Sequence, residues 1–159
     1  MKKVKKIDPE IKLHVVGEGK IRKKLIEWSS KEKLNIEFYG NLQDNQLNDL
    51  YKSVSVQIIP SIFEGFGLTV LEGMAKGIPI IATDVDGIRE VIETNENGIL
   101  INYGNSYMLA KKIVDLINND ELQKKLTQNA YRSLNRYNWV NIYKQHINLY
   151  ESIYKETVY

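Results

Sequence analysis

The side chains best suited to chemistry fall in one stretch, residues 60–82, PSIFEGFGLTVLEGMAKGIPIIA. Glu64 sits in a glycine-bearing loop, and Glu72 lies on a helix that the apolar spacing starts near Gly67. Gly65 and Gly67 bracket Phe66 and let the backbone take positive φ or approach a ligand closely. A helix start offers free N–H groups and partial positive charge, which suits phosphate. Two carboxylates beside it are electrostatically out of place unless the ligand also brings hydroxyls. A carboxylate accepts hydrogen bonds from a vicinal diol. Phosphate flanked by diols describes a nucleotide sugar. The same residues also fit a plainer reading: a glycine turn, one glutamate stabilising the helix dipole and a second in solvent.

Other constellations carry less. GEGKIR at 17–22 is half a dinucleotide fingerprint, with Arg22 at the third glycine and only Glu37 near the required acid. No P-loop and no G-x-S-x-G occur. Asp84-Val85-Asp86 spells D-x-D, but between Thr83 and Gly87 it reads as turn chemistry capping the next helix. His14 lies in an apolar strand and His146 on an apolar helix face, positions of packed histidines. The absence of cysteine removes disulfides, thiolate metal sites and cysteine nucleophiles together.

The elements around these residues alternate. Strands are expected at 13–16, 35–39, 54–59, 78–82 and 98–101. Helices are expected at 20–33, 45–53, 67–76, 87–93, 106–118 and 138–156, with a further one between the last two capped by Asn118, Asn119 and Asp120. In the helix at 67–76, Leu68, Leu71, Met74 and Ala75 are expected to face a core. The strands are continuously apolar rather than alternating, which predicts an α/β fold with a parallel sheet covered by helices on both faces. Ligands bind such folds at the carboxyl ends of the strands. The loops that matter are therefore 17–19, 40–44, 60–67 and 83–87.

With these elements in place, residues 60–82 resemble the signature of the retaining family 4 (group 1) glycosyltransferases of the GT-B fold. That signature reads P-S-x-x-E-x-F-G-x-x-x-x-E-x-M-A-x-G-x-P-x-I-A. KLHVVGEG, IEFYGNL, ATDVDGIREVIETNENGILI and YNWVNIYKQHINLYESIY extend the similarity over almost the whole chain. The resemblance implies a Rossmann-like sheet forming one half of a GT-B enzyme, the half that binds a nucleoside diphosphate sugar. It implies that Glu64 contacts the donor sugar as the catalytic-site carboxylate. The backbone of Gly65, Phe66, Gly67, Leu68 and Thr69 would hold sugar and diphosphate, and Glu72 the ribose. Leu42, after Gly40, would lie along the base, with Gly17 at the neighbouring loop. No metal or cofactor is implied, and hexosyl transfer to a hydroxyl acceptor would proceed with retention. Acceptors of this class are often lipid-linked or surface polysaccharides.

Departures from the pattern carry their own expectations. Nothing before Leu13 matches the family's opening strand, which ends in glycine–arginine with lysine–glycine beyond it. Residues 1–8 resemble the end of the helix that follows. The expectation is a single domain over 1–159 without its first strand and without the acceptor domain. Its sheet would be rearranged around that absence or completed by a partner chain, and the chain would be inactive alone. Gly73 stands where the family usually has alanine, a change expected to be harmless, and Arg89 where it often has proline. The alternatives are a non-catalytic module that binds nucleotide or a partner, and a sugar-nucleotide epimerase-like domain.

Composition fits this reading. The 159 residues are 43% hydrophobic and 26% charged, ordinary for a globular domain. Residues 1–33 hold eleven basic and five acidic side chains, yet no aromatic interleaving or motif points to nucleic acid. The opening MKKVKKIDPEIK lacks the apolar run of a signal peptide, so a cytoplasmic location is expected. Peripheral membrane contact is compatible with the tyrosine-rich last helix (Tyr137, Tyr143, Tyr150, Tyr154, Tyr159), although its stripe is expected to pack on the absent half or on its own sheet.

Overall fold

The computed structural model describes residues 1–157. The strands are β1 (Leu13–Val16), β2 (Ile36–Gly40), β3 (Gln57–Ile59), β4 (Ile80–Thr83) and β5 (Ile99–Ile101). Among the helices, α1 is Lys2–Ile7, α2 Arg22–Lys31, α3 Asp44–Ser53 and α4 Leu68–Ala75. They are followed by α5 (Asp86–Arg89), α6 (Ser106–Ile117), α7 (Asp120–Ser133) and α8 (Trp139–Thr157), with a 3-10 turn, Leu134–Tyr137, before the last. All strand pairs are parallel, and the fold is the expected α/β class.

The sheet is in two pieces. β1 pairs only with β2, and β3–β4–β5 form a separate three-stranded unit. β4 is buried at every position. Ile80 and Ala82 join Ile59, Val70, Met74, Ile88, Val91, Ile92 and Ala130 in one core. Ile81 points the other way, with Val4, Ile99, Ile101, Ile113, Leu116 and Leu126. This double burial is why the strands read as continuous apolar runs. The β1–β2 ribbon is less covered: its residues before Gly40 are half-buried or exposed, α2 buries only Ser29, and α3 buries nothing.

One helix face differs from the expected one, and two others leave large side chains in solvent. On α4 the buried residues are Val70, Gly73 and Met74, whereas Leu68 is 65% exposed and Ala75 is also exposed. The first turn of α4 stands at the open end of the sheet, so its leading leucine meets solvent. On α2, Trp28 lies half-exposed beneath the Lys2 ammonium, 5.3 Å from its ring centre. The α8 stripe does not pack on the chain's own sheet: Trp139, Val140, Tyr143, Tyr150, Ile153 and Tyr154 are exposed. Tyr159 lies outside the described residues. No helix among the described residues is long and apolar enough to cross a membrane.

Gly73 is not interchangeable with alanine here. A methyl at this position would overlap Gln57 Oε1 at the start of β3 and crowd Ile80 Cδ1. Gln57 is held by its own amide, which donates to the Thr69 carbonyl at 3.2 Å and the Tyr51 hydroxyl at 3.3 Å. Glycine at 73 and glutamine at 57 therefore belong together. Overpacking costs about 1–3 kcal/mol, more than the helix propensity of about 1 kcal/mol that alanine gains over glycine. Gly73→Ala should therefore lower Tm in thermal unfolding. Gln57→Val combined with Gly73→Ala should recover most of the loss, and a Tm unchanged by Gly73→Ala alone would contradict the pairing.

Candidate functional site

β3 ends at Ile59 and Pro60 stops the ladder, so the chain leaves the sheet into the loop bearing Glu64. The loop returns at Gly67, whose φ of +81° forms the left-handed N-cap of α4. Only glycine takes this conformation without strain. Gly67 has no side chain to cap the first turn, so that end of α4 keeps its amide groups for a ligand. The Ser61 hydroxyl lies 3.4 Å from Glu64 Oε2 and can donate to it. From below, the buried Thr83 hydroxyl at the end of β4 donates to the Ser61 carbonyl, with a longer 3.4 Å approach to the Ile59 carbonyl.

Glu64, Thr69 and Glu72 line one cleft of about 730 Å³. Its walls are the facing edges of β1 and β3 together with α3, through Leu13, Val16, Val56, Ile58, Leu47 and Leu50. The break in the sheet and the predicted carboxylates thus share a single cavity. Its charged side chains are Asp8, Glu10, Glu64 and Glu72 against Lys12. Tyr51 also lines it, and burial, with the Glu72 carboxylate as the second cause, pushes its phenol above the usual range. Tyr51 is therefore a neutral hydroxyl beside Glu72 at physiological pH.

The remaining predicted residues stand around this cleft rather than in its walls. Gly65, Phe66 and Leu68 are exposed along the loop and the start of α4. Gly17 and Gly40 meet at the carboxyl ends of β1 and β2, where the Gly17 amide donates to the Gly40 carbonyl at 2.7 Å. Both have positive φ, and a side chain at Gly40 would run into the Glu18 carboxylate. Leu42 is half-buried two residues beyond β2. The D-x-D carboxylates do not cap α5. Arg89 holds both, Asp84 at 2.5 Å and Asp86 at 2.9 Å, while α5 begins after Val85 without a side-chain cap. His14 stacks on Tyr39 and shares a 2.8 Å hydrogen bond with its hydroxyl.

Sequence reasoning missed Gln57 and Tyr51, placed Tyr137 on the last helix rather than in the 3-10 turn against Phe66, and passed over Thr83 and Gly87 as part of a loop. The signal for Thr83 was its place at the carboxyl end of a buried strand, where a hydroxyl must find a backbone partner.

Comparisons with known proteins follow this geometry. The family model for glycosyl transferases group 1 matches residues 1–133. A protein of Methanocaldococcus jannaschii named as an uncharacterized glycosyltransferase is 36% identical over 137 residues, covering 86% of this chain and 38% of that protein. The crystal structure of a TarM mutant of S. aureus with fondaparinux, alpha-GlcNAc-glycerol and UDP superposes with a TM-score of 0.84 at 29% identity, over 92% of this chain and 30% of that one. The C-terminal domain of a glycosyl transferase group 1 family protein from Francisella tularensis superposes at 0.74 with 30% identity, over 83% of this chain and 72% of that one. The chain thus spans well under half the length of the curated relative.

Thr83→Val keeps the side-chain volume and removes the hydroxyl that ties Ser61 down. It should cost about 1–3 kcal/mol for the unsatisfied carbonyl and speed amide exchange across residues 61–67 while β5 stays protected. Unchanged exchange in the loop would remove Thr83 from the site's support.

Proposed function

The chain belongs to the group 1 glycosyltransferases, and from that premise we propose that it is the donor-binding part of an enzyme that transfers a hexosyl unit from a nucleoside diphosphate sugar to a hydroxyl acceptor. Transfer with retention is part of the reading. The observation that carries it is the convergence of Glu64, Thr69 and Glu72 on one cleft beside the uncapped start of α4. In this reading Glu72 accepts hydrogen bonds from the ribose hydroxyls and Glu64 from the sugar. The amides of residues 65–69 hold the diphosphate as it leaves, a role for preorganised donors. No step calls on a metal or another cofactor.

The open edges of β1 and β3 complete the proposal. Among the described residues both strands are unpaired on the side facing the cleft, and apolar side chains such as Val16, Leu47 and Ile58 line it there. A strand parallel to both, supplied by the polypeptide that carries the acceptor-binding half, would pair with two edges at once. Such edges seek partners. The chain alone then binds nucleotide without turnover.

UDP is the first probe, since a structural relative was crystallised with it. Titration calorimetry of the purified chain should show UDP binding. Glu72→Ala should weaken it roughly tenfold, a hydrogen bond to a charged group being worth about 1.5–3 kcal/mol. Absence of binding by UDP, ADP and GDP alike would defeat the reading. For the strand, the cleft-facing amides of β1 and β3 should exchange rapidly in the chain alone. They should become protected when the corresponding upstream segment of the Methanocaldococcus jannaschii relative is fused ahead of residue 1. Continued rapid exchange in the fusion would reject a strand as the occupant.

A further inference from the structure

The Glu64 loop is gripped on its far side by residues that touch no ligand in the reading above. Gly87, the second residue of α5, packs backbone against backbone under it: a Cβ there would overlap the Glu64 carbonyl oxygen and the Gly65 carbonyl carbon. The Gly87 carbonyl also abuts the other end of the loop, 3.5 Å from where a Cβ on Gly67 would stand. Gly87 is not in the left-handed region, so its own backbone does not demand glycine. Only the loop does. Above it, the Phe66 ring meets the Tyr137 ring edge to face, with centroids 5.8 Å apart and planes at 75°. Tyr137 is anchored in turn, its hydroxyl donating to the Glu90 carbonyl at 2.8 Å and its ring packed on the core that holds Ile88 and Val91.

We propose that Gly87 and Tyr137 are positioning residues that fix the Glu64–Gly67 loop relative to the start of α4, and so govern recognition of the diphosphate and sugar but not of the nucleoside. The proposal rests on the donor-binding reading for its ligand and on the contacts themselves for its mechanics. Glu72, little more than one turn along α4, and Leu42 beyond β2 lie outside the grip. Displacing the loop therefore withdraws Glu64 and the amides of residues 65–67 while leaving the ribose and base contacts in place. A shift of about 1 Å at such a site is enough to cost large factors.

Gly87→Ala isolates the effect, because alanine suits α5 and only the loop must yield. In the 159-residue chain without ligand, the amide resonances of Glu64 to Gly67 should move, with those of β5 unchanged. In NMR titrations, affinity for UDP-glucose should fall by about tenfold or more and affinity for UMP by less than about twofold. Tyr137→Leu should give the same pattern at about threefold, since it removes the ring against Phe66. Tyr137→Phe should lose clearly less than Tyr137→Leu, because it keeps the ring against Phe66 and gives up only the hydroxyl anchor on Glu90. Should Gly87→Ala fail to fold, Tyr137→Leu against Tyr137→Phe carries the test. Unmoved loop resonances, or equal losses for UMP and UDP-glucose, would overturn the proposal. If the parent chain binds none of these ligands, the donor-binding reading fails, and the loop resonances alone decide whether Gly87 and Tyr137 hold the loop.

Discussion

β4 is the element on which the ordered structure depends. Four residues, Ile80 to Thr83, all buried, feed two cores at once. At about 25 cal/mol per Å² of apolar surface, the three apolar side chains of such a strand rank among the larger single contributors to stability in a chain this size. The strand also ends where the site begins. Thr83 fastens the loop after β3 through its hydroxyl, and the backbone that follows delivers Gly87 beneath Glu64. The position of the candidate carboxylate is thereby tied to the best-packed part of the molecule, although Glu64 itself sits on an irregular loop. A site held to a fraction of an ångström needs this kind of support.

The class of the fold and the main loop could be read from the sequence because both rest on local rules. Continuous apolar strands announce a doubly covered sheet, and Pro60 with Gly67 marks where the chain must leave β3 and start α4. The face of α4 could not be read that way. Its spacing allows either Leu68 or Val70 to turn inward, and tertiary packing against β3 and β4 selects Val70, Gly73 and Met74. The pairing of Gln57 with Gly73 was equally hidden: it joins residues sixteen positions apart through one amide, and no periodicity records it. Gly87 carried a sequence signal that points to the wrong cause. A glycine after D-x-D suggests turn chemistry, whereas its backbone is ordinary and its lack of a side chain serves another loop.

The two halves of the sheet differ in a way that follows from the same geometry. β3–β4–β5 has helices on both faces and buries its core, while β1–β2 relies on half-buried contacts and on the closed pair of turns at Gly17 and Gly40. A two-stranded ribbon is marginal by itself. It gains when its open edge finds a partner, and the edge of β3 has the same need across the same cleft. Under the proposed reading, one inserted strand satisfies both, joining the less covered ribbon to the better packed unit.

Charge along the cleft divides between its two ends. Glu64 and Glu72 line it beside the start of α4, whereas Asp8, Glu10 and Lys12 line it from the segment that leads into β1. The start of α4 contributes only the equivalent of about half a positive charge. A diphosphate brings at least two negative charges, so under the proposed reading the free amides of the loop and of the α4 start carry much of its recognition in the chain alone. Hydroxyl contacts from ribose and sugar would offset the desolvation of Glu72 and Glu64. A strand seated between β1 and β3 in parallel register would end at the carboxyl edge of the sheet, beside Glu64 and the α4 start. The loop that follows it would reach the diphosphate directly. Under the proposed reading the unpaired edges and the start of α4 thus meet at one place, so a strand seated there would extend a donor site whose first contacts the chain itself supplies.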